Sequence, residues 1–84
     1  MNHDHIKSLS FMGNDAVAFG KTIEIAVFQK ELVDKVIAEA LAEIKKGSYD
    51  EALISAPEKK VVRLFWSNNQ VFMSQIVMDL AKLN

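Results

Sequence analysis

The chain is predicted to be all-α: an antiparallel helical hairpin, with helices at about 22–46 and 56–83 and a short corner helix at about 49–54, closing into a multi-helix bundle by self-association. Three observations predict it. Apolar residues recur at helical spacing along both long segments. Gly47 and two Ser-x-x-Glu patterns punctuate the stretch between them. Finally, LFWSNNQVFMSQIVM, from Leu64 to Met78, carries no charged side chain, yet its residues divide between two helical faces.

At 84 residues the chain makes one small domain, 1–84, with little capacity to cover its own apolar surface. Leu, Ile, Val and Phe number 27, enough to drive folding. Residues 1–13 contain Ile6, Leu9, Phe11 and Met12 without a decisive period, and are read as a partly flexible end that leads into a segment laid on the helices. From Thr22 to Lys46 the positions Ile25, Phe28, Leu32, Val33, Val36, Ile37, Ala40, Leu41 and Ile44 step by three and four. Asn14 or Asp15 offers an earlier cap, whereas Gly20 weakens helix and TIEIAVF also alternates like a strand. At the other end Lys45 and Lys46 complement the helix dipole, and Gly47 suits a left-handed cap.

Ser48 with Glu51, and Ser55 with Glu58, each read as a capping box, with Pro57 placed in the first turn of the second helix. On that helix Val61, Val62, Phe65, Trp66, Phe72, Met73, Ile76, Val77, Leu80 and Leu83 form a stripe expected to pack on the first helix. The alternative is α+β, with a C-terminal β-hairpin at 60–77 joined by Ser67, Asn68, Asn69 and Gln70. The helix is preferred because the stripe runs through the supposed turn, which lacks an Asn-Gly or Asp-Gly pair. In the alternative, TIEIAVF, the middle helix and VVRLFW-SNN-QVFM follow a β-α-β-β order. That order and the Val-Arg…Asn-Asn run are similar to the small DinI-type regulators of the DNA-damage response, a likeness that would imply a small α+β regulatory protein.

On the helical reading, Leu64, Val71 and Met78 alternate with Ser67, Ser74 and Ala81 in a heptad of large and small side chains, the predicted interface with a second chain. Asn69 falls near the centre of the main stripe and is assigned a core-specificity role beside Trp66, either setting register or simply finding a partner in the core. Lys45, Lys46, Lys59, Lys60 and Arg63 would gather as a basic corner, diluted by Asp50, Glu51 and Glu58.

Ten basic and eleven acidic residues leave a net charge of -1, which removes the global drive toward nucleic acid. Without cysteine there is no disulfide, thiolate nucleophile or cysteine zinc site, and a reducing cytoplasm is expected. The start does not resemble a secretory signal, and no apolar run is long enough to span a membrane. His3 and His5 flank Asp4, a pattern able to take Cu(II) or Ni(II) at a chain end but seldom functional, so no metal and no cofactor are assigned. Glu24, Glu31, Asp34, Glu39 and Glu43 read as a solvated helix face, and Ser55 and Ser74 have no histidine base.

No enzymatic activity is predicted. The expected function is a protein-interaction module, an adaptor, inhibitor or assembly factor, partnered by itself as a dimer or higher oligomer and by another protein. A subunit of a helical filament or secretion-type assembly is the second reading, on size and hairpin form. A third is a binder of apolar small molecules near Trp66, Met73 and Asn69.

Overall fold

The computed structural model describes residues 6–57 and 60–76. They form one mixed sheet of six strands in sequence order: β1 (Ile6–Phe11), β2 (Asn14–Phe19), β3 (Thr22–Ala26), β4 (Glu51–Ala56), β5 (Lys60–Ser67) and β6 (Gln70–Ile76). One α-helix, α1 (Val33–Lys45), follows a single 3-10 turn at Lys30–Leu32 and connects β3 to β4. Those two strands are parallel and every other neighbouring pair is antiparallel, as hairpin turns and one helical crossover require. The all-α helical hairpin and its bundle are therefore overturned.

The first predicted helix, 22–46, is half right. Within TIEIA the alternation prevails: Ile23 and Ile25 turn to the core, Glu24 turns away, and the β-branched residues suit an extended backbone. Phe28, placed on the helical stripe by its spacing, lies exposed in the link. The helical period takes over only at α1, whose buried face is Val33, Val36, Ile37, Ala40 and Ile44. Its stop is as expected. Gly47 has φ 86°, its N–H donates to the Ile44 carbonyl at 3.0 Å, and the Ser48 N–H donates to the Glu43 carbonyl at 3.2 Å, the paired bonds of a Schellman cap.

Neither capping box caps a helix. Ser48 lies just beyond the end of α1 and Ser55 sits inside β4, so the corner helix at 49–54 gives way to a strand in which Ala52, Ile54 and Ala56 point inward. Pro57 stands in the turn that follows. The helix predicted at 56–83 is replaced, over its described residues, by the β5–β6 hairpin that was the weighed alternative. Asn68 and Asn69 form its two-residue turn with φ 53° and 63°. Two successive positive φ values match the primed turn whose twist suits a hairpin, and asparagine is the residue besides glycine that enters this region most readily. Asn14, read as a possible helix cap, begins β2 instead: it is buried, and its Nδ2 donates to the Phe11 and Met12 carbonyls at 3.1 and 3.2 Å, tying the β1–β2 turn.

The core lies between α1 and one face of the sheet. Ile23, Ile25, Ala52, Ile54, Val62 and Leu64 meet the helix residues there, with Phe11 and Ala16 from the first hairpin. Each fully buried Ile or Leu contributes about 1.5–3 kcal/mol relative to exposure. The sheet's opposite face has no helix on it among the described residues.

Candidate protein interface on the open sheet face

Strand register fixes what that second face presents. Side chains directly opposite one another share a face, so one row runs Ile6, Phe19, Thr22, Glu51, Phe65, Phe72, and the adjacent row runs Ser8, Val17, Glu24, Leu53, Arg63, Ser74. Ile6, Phe19 and Phe72 are exposed large apolar residues, while Val17, Leu53 and Phe65 are half-buried. Single exposed hydrophobes are ordinary on a surface. Here they fall in two clusters, Ile6 with Phe19 and Val17 on one side and Phe65 with Phe72 on the other, separated by Thr22, Glu24, Glu51 and Arg63. Apolar clusters of this kind on a sheet face that no described residue covers are candidates for contact with another protein.

The centre of the face is cross-linked by side-chain contacts. Arg63 Nη2 donates to Glu51 Oε1 at 2.9 Å across the diagonal between β5 and β4. The guanidinium carbon lies 4.9 Å from the centroid of the Phe65 ring, and Phe65 stacks on Phe72 with centroids 5.5 Å apart and planes 23° from parallel. Arg63 Nε is buried without a hydrogen-bond partner. Both side chains of the ion pair remain partly open to solvent, so its contribution to stability is at most about 1 kcal/mol. Its consequence is orientation: the guanidinium is held against an aromatic pair, with most of its five donors unspent.

The residues singled out from the sequence are dispersed. Leu64 is fully buried against α1, and Val71 shares that side of the sheet, whereas Ser67 and Ser74 fall on the open side. Met78 and Ala81 lie outside the described residues, so the seam of six is not assembled as a line. Of the basic corner, Lys45 and Lys46 end α1, Lys60 starts β5 opposite Ala56 at the other end of the sheet, and Arg63 is on the open face; Lys59 lies outside the described residues. Lys46 instead pairs with Glu43 at 3.3 Å. Asn69 serves the turn rather than a core. Trp66 borders an open groove of about 670 Å³ with Leu41, Lys45, Asn69, Gln70, Val71 and Met73.

His3, Asp4 and His5 lie outside the described residues, and among the described ones no three His, Cys, Asp or Glu side chains gather as a metal-holding group. Likewise, among the described residues no helix is long and apolar enough to cross a membrane.

Phe19 and Leu53 were not singled out, and Glu24 and Glu51, read as part of a solvated helix face and as counter-charges of the basic corner, were not placed on a sheet face. The signal that could have found them is the period-two alternation of NDAVAF, TIEIA and EALISA, the first lying between Gly13 and Gly20 and the last ending at Pro57. No family model, no curated protein and no solved structure matches the chain.

Proposed function

We propose that the protein is a non-enzymatic interaction module of the cytoplasm, an adaptor, inhibitor or assembly factor, that binds other protein through the open face of its sheet. The observation that supports this reading most is the pair of adjoining rows in which exposed Ile6, Phe19 and Phe72 surround a fixed Arg63–Glu51 pair. Aromatic residues and arginine are the side chains enriched where proteins meet, because each delivers much contact area with few rotatable bonds. Partners on this reading are a second protein, further copies of the chain, or both. The absence of cysteine suits a reducing compartment. Among the described residues there is no helical hairpin from which a helical filament subunit could be built.

The test is site-specific photo-crosslinking in the native host, with a photoreactive phenylalanine analogue at Phe72 and, as control, at Lys35 on the solvent side of α1. Adducts of protein mass from Phe72 and none from Lys35 are expected. No adduct from Phe72, or equal adducts from both positions, would remove the reading.

A second reading, an apolar ligand in the groove beside α1, is supported by the exposure of Trp66 and Met73 at the same opening. A change of Trp66 fluorescence on titration with a hydrophobic probe is expected only if that groove binds.

A further inference from the structure

The open face is arranged so that its two halves match. In the row through Leu53, Glu24 lies one strand to one side and Arg63 one strand to the other; in the row through Glu51, Phe19 lies two strands to one side and Phe72 two to the other. Place a second sheet over the first with a dyad running between them along β4, above Leu53. That operation exchanges the β3 and β5 columns and the β2 and β6 columns. Glu24 then faces Arg63 of the second copy, and Phe19 faces Phe72 of the second copy, each contact occurring twice.

We propose that the open face is a homodimer interface in which a second copy of this chain stacks sheet on sheet, β4 over β4, closed by reciprocal Glu24–Arg63 ion pairs and Phe19–Phe72 contacts. The proposal rests on reading this face as a binding surface and names its occupant. The complementarity of Glu24 with Arg63 under this dyad is the argument for a copy of the same chain as the occupant. Glu24 is exposed and no described residue is seen to pair with it, while Arg63 gives a single hydrogen bond to Glu51 and keeps donors for a second carboxylate. The aromatic contacts obey the same dyad. Phe19 and Phe72, 44% and 39% exposed, are the exposed phenylalanines of this face, and each would be covered by the other's symmetry mate.

Size sets the strength. With the dyad along β4 the strands β2 to β6 overlap and β1 overhangs, so five strands at about 4.8 Å by five residues at about 3.3 Å give a plane on the order of 400 Å² per copy. The total, about 800 Å², falls below the roughly 1,000 Å² of a stable specific interface, so the dimer is a weak, reversible one. Sheets about 10 Å apart place facing side chains in contact. On the dyad itself Leu53 meets Leu53 and Glu51 meets Glu51 of the second copy, a like-charge contact that each chain's Arg63, bonded to its own Glu51, must offset.

Sedimentation equilibrium of the full chain from about 10 to 500 μM tests this. A monomer–dimer equilibrium is expected, with the dissociation constant raised at least tenfold by Glu24→Arg and separately by Arg63→Glu. An equimolar mixture of those two variants should recover a heterodimer, because only the mixed pair brings opposite charges together at both contacts. Should Arg63→Glu fail to fold, judged by circular dichroism, Phe19→Asp at an exposed position takes its place as the second monomerising variant. A wild-type chain monomeric throughout, or Glu24→Arg associating as wild type does, or two folded variants that stay monomeric when mixed, would overturn the proposal. The interaction reading fails separately, since a monomeric chain that still crosslinks from Phe72 to a different protein loses the dimer and keeps the binding face.

Discussion

The two faces of one sheet are built from alternate residues of the same strands, yet they differ in kind. Toward α1 the central strands set Ile23, Ile25, Ala52, Ile54, Val62 and Leu64, aliphatic and buried. Away from it they set Thr22, Glu24, Glu51, Leu53, Arg63 and Phe65, a mixture of charge and apolar surface. A face that is always dry gains from aliphatic side chains that interdigitate and carry no polar atom to satisfy. A face that meets water part of the time needs charged groups to stay soluble, and stiff aromatic groups that lose little entropy when covered. The difference separates the face that holds the fold from the face proposed to bind.

The largest test of that division is Ile54→Ala. Ile54 is fully buried at the middle of β4, with β3 and β5 on either side and α1 above, so truncation leaves a cavity that few neighbours can fill. A loss of about 2–5 kcal/mol is expected in urea unfolding. That is a large share of the roughly 5–15 kcal/mol a domain possesses. A loss under about 1 kcal/mol would mean that the α1 side is not the structural face.

Phe72→Ala reports on the other side and should cost less. Its ring is exposed and stacks on one neighbour, so about 0.5–1.5 kcal/mol of stability is expected to go with the stack. Its effect on crosslinking and on sedimentation should be the larger one. If Phe72→Ala unfolds the chain as Ile54→Ala does, the two faces are not divided as described.

How much of this was legible depends on which periodicity a segment carries. Along α1 the positions Val33, Val36, Ile37, Ala40 and Ile44 fit only a helix, and Gly47 after Lys45 and Lys46 marks its end, so that element was readable. In Lys60–Ser67, by contrast, Val61, Val62, Phe65 and Trp66 fit a helical stripe, while Val62, Leu64 and Trp66 fit one face of a strand equally well. Local sequence cannot separate the two. What separates them is pairing with β4 and β6, a long-range interaction that no window along the chain contains. The Ser-x-x-Glu patterns misled for the same reason: a serine caps only if a helix follows, and at Ser55 the backbone amides are already engaged in a sheet. The candidate interface was hidden by the consequence of that error, because a helical projection puts Leu64, Val71 and Ser74 on one line, whereas the pleat sends Ser74 to the opposite side from Leu64 and Val71. The described part of the charge-free run from Leu64 to Met78 falls on the second half of β5, the hairpin turn and β6, the uncharged outer strand of the sheet, which carries Phe72.

The smallest expected effect falls on the turn that holds β6 in register with the open face. Asn68 and Asn69 both have positive φ, the arrangement in which Asn-Gly is the favoured pair. Asn69→Gly removes the residual steric cost of a side chain in that region, and it also enlarges the freedom of the unfolded chain, which opposes folding. The two terms nearly offset, leaving a gain of a few tenths of a kcal/mol. Asn69→Val sharpens the point, because a β-branched side chain at positive φ costs about 1–2 kcal/mol. That cost should fall locally, on β6 and the Phe72 side of the open face, with the α1 core left in place. Amide hydrogen exchange is the measurement: Asn69→Val should lose protection across 70–76 while 52–56 stays protected. Equal loss in both stretches would show that the hairpin and the core open as one unit, and that the open face has no independent means of being switched off.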